Sequence, residues 1–136
     1  MCAFFQLVAL FALSAVFSGG AWANNPKAAR YYEDALKRFE VKDMPGAVIQ
    51  LKNAIQQDRT MLAAQVLLGK ALLVEGDPIG AEVAFDEALS QGVDRGEVVL
   101  FLGQAYLMQG KFDALISKLG TTGLAGGLRR DVLLLR

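Results

Sequence analysis

Glu33, Asp34 and Glu40 crowd beside Arg30, Lys37 and Arg38, and neighbouring carboxylates are the raw material of general acid–base catalysis. Their spacing argues for something plainer. Opposite charges at i,i+4 on a helix pair with one another and with water. Gly120-Thr121-Thr122-Gly123-Leu124-Ala125-Gly126-Gly127 is rich enough in glycine to cradle a phosphate, but no Gly-Lys-Ser/Thr follows it and no strand precedes it. A flexible loop over 120–128 is the expectation. Tyr31, Tyr32, Phe39, Phe85, Phe101, Tyr106 and Phe112 recur at helical spacing without the interleaved basic residues of a base-stacking platform. The chain has no histidine and one cysteine, Cys2, which removes His-based triads, the usual zinc sites and internal disulfides. Its 14 Lys+Arg against 14 Asp+Glu leave no net charge, so the basic footprint of a nucleic-acid binder is missing. These residues lead us to expect no catalysis, no cofactor, no metal and no nucleic acid.

The elements that carry them are set by how apolar residues are distributed along 136 positions, 54% of them hydrophobic. Residues 1–23 hold no charged side chain, and Phe4 to Phe17 is almost unbrokenly apolar before Ser18-Gly19-Gly20 and Ala21-Trp22-Ala23. That is the order of a secretory signal peptide with a small-x-small cleavage site, predicting export to the periplasm or cell envelope and a mature start at Asn24. Cys2 follows only Met1, too early for a lipid anchor, and reads as filler of this segment. If the segment stays uncleaved, it is the chain's one expected contact with a membrane.

Sliding residues 28–120 against themselves matches at a shift of 34. Gly69 falls on Gly103, Leu68 on Leu102, Ala71 on Ala105, Leu72 on Tyr106, Gly76 on Gly110, Ala47 on Ala81, Leu51 on Phe85 and Ala54 on Ala88. The spacing of Ala47 to Ala54 and of Ala81 to Ala88 puts each pair on one helical face. Asn25-Pro26 and Asp77-Pro78 read as helix starts, Asp94 with Glu97 as a capping-box-like pair, and Gly76, Gly92, Gly110 and Gly120 as helix stops. The expected helices are 26–41, 45–57, 61–75, 78–91, 95–109 and 112–119. The fold class expected is all-α, an α-α superhelix of antiparallel hairpins in repeats 28–61, 62–95 and 96–129. The first repeat shows Asp34-Ala35 where the next has Leu68-Gly69, and the third has Leu115 where the others have Ala47 and Ala81. The same lag carries Val99-Leu100-Phe101 onto Leu133-Leu134-Leu135, so 129–136 is expected to open a fourth, interrupted repeat.

Leu68-Gly69, Leu72, Ala81, Phe85 and Ala88, followed by Leu102-Gly103 and Tyr106, resemble the signature of the tetratricopeptide repeat family, whose period is 34 residues. The resemblance implies that Ala47, Ala54, Gly69, Ala81, Phe85, Ala88, Gly103 and Tyr106 pack the repeats. It also places a concave face on the first helices. That face takes Ala29, Tyr32, Leu36, Phe39 and Glu40, then Ala63, Val66, Lys70, Leu73 and Val74, then Glu97, Leu100, Gln104, Leu107 and Met108. The candidate groove residues are Tyr32, Leu36, Phe39, Val66, Lys70, Leu73, Leu100, Gln104, Leu107 and Met108. They are mostly apolar, and only Lys70 is basic, which disfavours the carboxylate clamp of the chaperone-binding members. The run Gly46-Ala47-Val48-Ile49-Gln50-Leu51-Lys52-Asn53-Ala54-Ile55-Gln56-Gln57-Asp58, with Leu67-Leu68-Gly69, Gly76-Asp77-Pro78 and Gly92-Val93-Asp94, is similar to the opening repeats of the exported tetratricopeptide protein of the exosortase/PEP-CTERM system, associated with exopolysaccharide loci. The function implied is a non-enzymatic scaffold that binds a protein or peptide partner in the envelope. The alternative is a binding appendage to an exported enzyme or regulatory subunit whose catalytic domain lies outside this chain.

Overall fold

A computed structural model describes residues 25–119. The expected signal peptide, the glycine-rich loop and the expected fourth repeat lie outside the described residues. Those described form α1 (Pro26–Glu40), α2 (Met44–Gln57), α3 (Leu62–Glu75), α4 (Pro78–Ser90), α5 (Arg95–Met108) and α6 (Phe112–Ala114), which continues as a π-helical turn over Leu115–Leu119. No strand occurs among them. The first five helices begin and end within a residue of the sequence expectation.

Four of the starts, those of α1, α2, α4 and α5, have a chemical cause. A helix leaves its first N–H groups without partners, and a short polar side chain just ahead of it can accept from them. Asn25 Oδ1 accepts from the N–H groups of Lys27 and Ala28 at 3.1 and 3.2 Å. Asp43 Oδ1 accepts from Gly46 at 3.0 Å, and Asp77 Oδ1 from Gly80 at 2.9 Å. Asp94 caps α5 through Gly96 N–H at 2.6 Å rather than through the box with Glu97 that its spacing suggested. Pro26, Pro45 and Pro78 all sit in the first turn of a helix, where the missing N–H costs nothing.

The ends of the first helices share one device. Gly76 and Gly110 follow α3 and α5 with φ of 91° and 68°, a left-handed conformation that lets the chain turn back on itself. The same repeat position in the first hairpin is Lys42, at φ 66°, where a side chain costs about 1–2 kcal/mol. Neither its charge nor its length announces that role in the sequence.

Each helix then packs on the next in sequence, α1 with α2, α2 with α3, α3 with α4 and α4 with α5, while α3 also touches α5. The small residues lie where two helices meet most closely. Ala47, Ala54, Ala81 and Ala88 are all 0% exposed, as are Phe85 and Tyr106, and Gly69 and Gly103 are buried. A Cβ built on Gly69 would lie 2.5 Å from Cε1 of Phe85, so the glycine makes room for that ring. One repeat earlier the corresponding positions hold Ala35 and Leu51, both fully buried. A larger residue on the first helix there goes with a smaller one on the second, as close packing at fixed helix separation requires.

The third hairpin departs from the expectation of a helix over 112–119. Lys111 occupies the position of Asp43 and Asp77 and gives α6 no side-chain cap. Leu115 occupies that of Ala47 and Ala81 and is only 4% exposed. A leucine cannot enter a contact shaped for alanine without displacing backbone, and the π turn opens at this residue. Glu82 ties the hairpin to its predecessor by accepting from Gln109 Nε2 and from Lys111 Nζ, each at 2.7 Å.

Candidate binding groove

α1, α3 and the start of α5 enclose an open groove of about 690 Å³, within the volume range of small-molecule and peptide sites. Its floor is the face of α3 built by Leu62, Ala63, Val66 and Leu67, with Lys70 a turn further on. One wall is Tyr32 and Leu36, a single helical turn apart on α1. The other is the turn Gly92-Val93-Asp94 and the first turn of α5 at Glu97. The floor presents its apolar stripe at i, i+3 and i+4 spacing because α3 is hydrophobic on nearly every side. Its opposite face, with Leu68 and Leu72, is consumed by the core.

Among the lining residues Lys70 is the one cation. Its Nζ stands 4.6 Å from the centroid of the Phe101 ring, and Phe101 in turn stacks on Phe85 at 6.0 Å and 21°. The ammonium is thus held against an aromatic face, and that face continues into the Gly69 contact beneath. The Tyr32 hydroxyl has its pKa raised by burial. Asp94 is engaged in capping α5. Glu97 is exposed and has no ion-pair partner among the described residues.

Of the ten residues expected to line a concave groove, the geometry brings together Tyr32, Leu36, Val66 and Lys70. Val66 shows only 9% of its surface at the floor, and Leu73, at 6%, belongs to the core. Phe39 packs half-buried against the core beyond the first wall. Leu100, Gln104 and Met108 are exposed and Leu107 half-buried on α5, outside the enclosed volume. The turn 92–94 was missed because a pattern confined to first helices assigns connecting turns no role. The signal that would have found it is the capping role of Asp94, which fixes that turn beside the start of α5. Outside the groove, Asp43 carries a pKa lowered by the Gly46 N–H and then by Arg38, whose Nη1 lies 2.8 Å away. Arg38 also holds Asp34 at 2.9 Å, the i,i+4 pairing expected of that charged cluster. Glu82 is pushed upward by burial, but Lys111 and Gln109 outweigh this and its pKa is lowered.

No protein-family model matches the chain. It is similar to cellulose synthase operon protein C of Xanthomonas axonopodis pv. citri (strain 306), with 31% identity over 101 residues. The match takes in 71% of this chain but 7% of that protein, so the chain corresponds to a small stretch of a far longer relative. Together the geometry and the comparison establish that the described residues form an all-helical stack of hairpins with a groove on the first helices, and that the chain is similar to part of a protein from a cellulose synthase operon.

Proposed function

We propose that this chain is a tetratricopeptide-type scaffold, non-enzymatic, that binds a protein or peptide partner through the groove on its first helices. The observation that carries the reading is the groove itself. It exposes an apolar floor on α3 between two walls, with Tyr32, Lys70, Asp94 and Glu97 as the polar side chains of its lining. A surface of this kind gains energy by covering the floor and selects through the few polar groups around it. The similarity to cellulose synthase operon protein C supports a place beside polysaccharide synthesis or export. The uncharged segment 1–23 supports a periplasmic or envelope location, the compartment of the exosortase-associated repeats as well.

A photo-crosslinking amino acid introduced at Ala63 on the floor, and separately at Val83 on the outer face of α4, tests the reading in the native host. Adducts to an envelope protein from position 63 and none from 83 are expected. An equal pattern from both positions, or polysaccharide output unchanged on deleting the gene, would remove the basis for it.

A further inference from the structure

We infer that the occupant of the groove is an apolar segment carrying a lysine or arginine, seated with its cation against the α5 wall. The inference rests on the groove being the binding face. The three charges of the lining, Lys70, Asp94 and Glu97, are not equally free. Lys70 lies on the Phe101 ring, so an anionic partner would have to draw the ammonium from an aromatic face that already stabilises it. Asp94 Oδ1 is taken up in accepting from Gly96 N–H at the cap of α5. Glu97, one turn away on the same wall, is exposed and paired with no cation among the described residues. The wall therefore offers two carboxylates, and only the one at Glu97 is entirely uncommitted. A partner carboxylate or acidic glycan would meet like charge there, and a neutral sugar would leave Leu62, Val66 and Leu67 facing polar atoms. An amphipathic peptide with leucines toward the floor and a cation toward Glu97 satisfies both surfaces at once.

Three labelled amphipathic peptides of equal length, with polar positions filled by Lys, Gln or Glu, serve as probes in fluorescence anisotropy with the full chain. The lysine peptide should bind about threefold to tenfold more tightly than the glutamine peptide, the size of one or two exposed ion pairs, and the glutamate peptide should bind weakest. High salt should erase the difference. Glu97→Lys should invert the order, and Glu97→Gln should shrink the preference should the inverted variant fold poorly. Ala63→Trp, which fills the floor, should abolish binding of all three. Equal affinity for the lysine and glutamine peptides, both lost in Ala63→Trp, overturns the charge preference while leaving the groove as the binding face. Binding of the lysine peptide that ignores both Ala63→Trp and Glu97→Lys overturns the groove itself. Preferential binding of the glutamate peptide, or of an acidic glycan in competition, reverses the inference, and no binding by any peptide rejects it.

Discussion

Lys42 does at φ 66° what Gly76 and Gly110 do one and two repeats later. Its side chain makes the left-handed turn costlier by about 1–2 kcal/mol, and a glycine would give part of that back as unfolded-chain entropy. Lys42→Gly should therefore stabilise the protein by about 0.5–1 kcal/mol, read as a higher urea midpoint with an unchanged slope. Gly69 presents the opposite balance. Alanine would gain about 1 kcal/mol of helix propensity, but its Cβ would lie 2.5 Å from the Phe85 ring. That ring is fully buried and stacked on Phe101, so it has nowhere to move, and overpacking of this kind costs about 1–3 kcal/mol. Gly69→Ala should thus lower stability, by up to about 2 kcal/mol. Gly69→Ala with Phe85→Leu recreates the Ala35 and Leu51 pair of the first hairpin and should recover part of the loss. A double-mutant cycle showing no coupling between 69 and 85 would contradict the contact.

At the scale of elements, the third hairpin is the weak one. α6 lacks the capping carboxylate of α2 and α4 and gives way to a π turn at Leu115, whereas α3 is packed by helices on either side. Amide hydrogen exchange should show 112–119 opening at far lower free energy than α3 and α4; equal protection across the two regions would mean the π turn is no weaker than its α-helical counterparts. Five helices were legible in the sequence because the 34-residue lag relates them to one another, with Asn25-Pro26 and Asp77-Pro78 marking the starts of α1 and α4 and Gly76, Gly92 and Gly110 the ends of α3, α4 and α5. The sixth was not, since Leu115 fits helical periodicity as well as alanine does and only packing reveals that it is too large. Lys42 escaped for a related reason: a lysine carries no mark of left-handed backbone. Six of the eleven residues lining the groove, Tyr32, Leu36, Ala63, Val66, Lys70 and Glu97, were legible because they stand at repeat positions on the first helices. Which of the remaining candidates are open to a partner depends on how neighbouring helices tilt and cover them, and Leu73 is hidden by packing that periodicity does not encode.

Across the whole molecule, carboxylates that are better hydrogen-bonded folded than unfolded set the response to acid. Asp43, through Gly46 and Arg38, and Glu82, through Lys111 and Gln109 against the opposing effect of burial, both have lowered pKa values. Their contribution is present in full above the ordinary carboxylate range near 4 and is lost as pH falls through the lowered values. Thermal stability should decline on acidification below about pH 4, and Asp43→Asn with Glu82→Gln should flatten that decline; an identical acid limb in the double variant would show that other carboxylates govern it. Asn25 has a further consequence. Its Oδ1 caps the head of α1, and its Nδ2 donates to the Gln57 carbonyl at the tail of α2, at 2.9 Å. Those two ends form the open mouth of the first hairpin, where tension applied through residue 24 would peel one helix from the other like a zipper. One side chain latches that mouth, so the array resists being unravelled by a pull from its N-terminal side. Asn25→Ala should lower the rupture force in a single-molecule pulling experiment far more than it lowers the stability measured at rest.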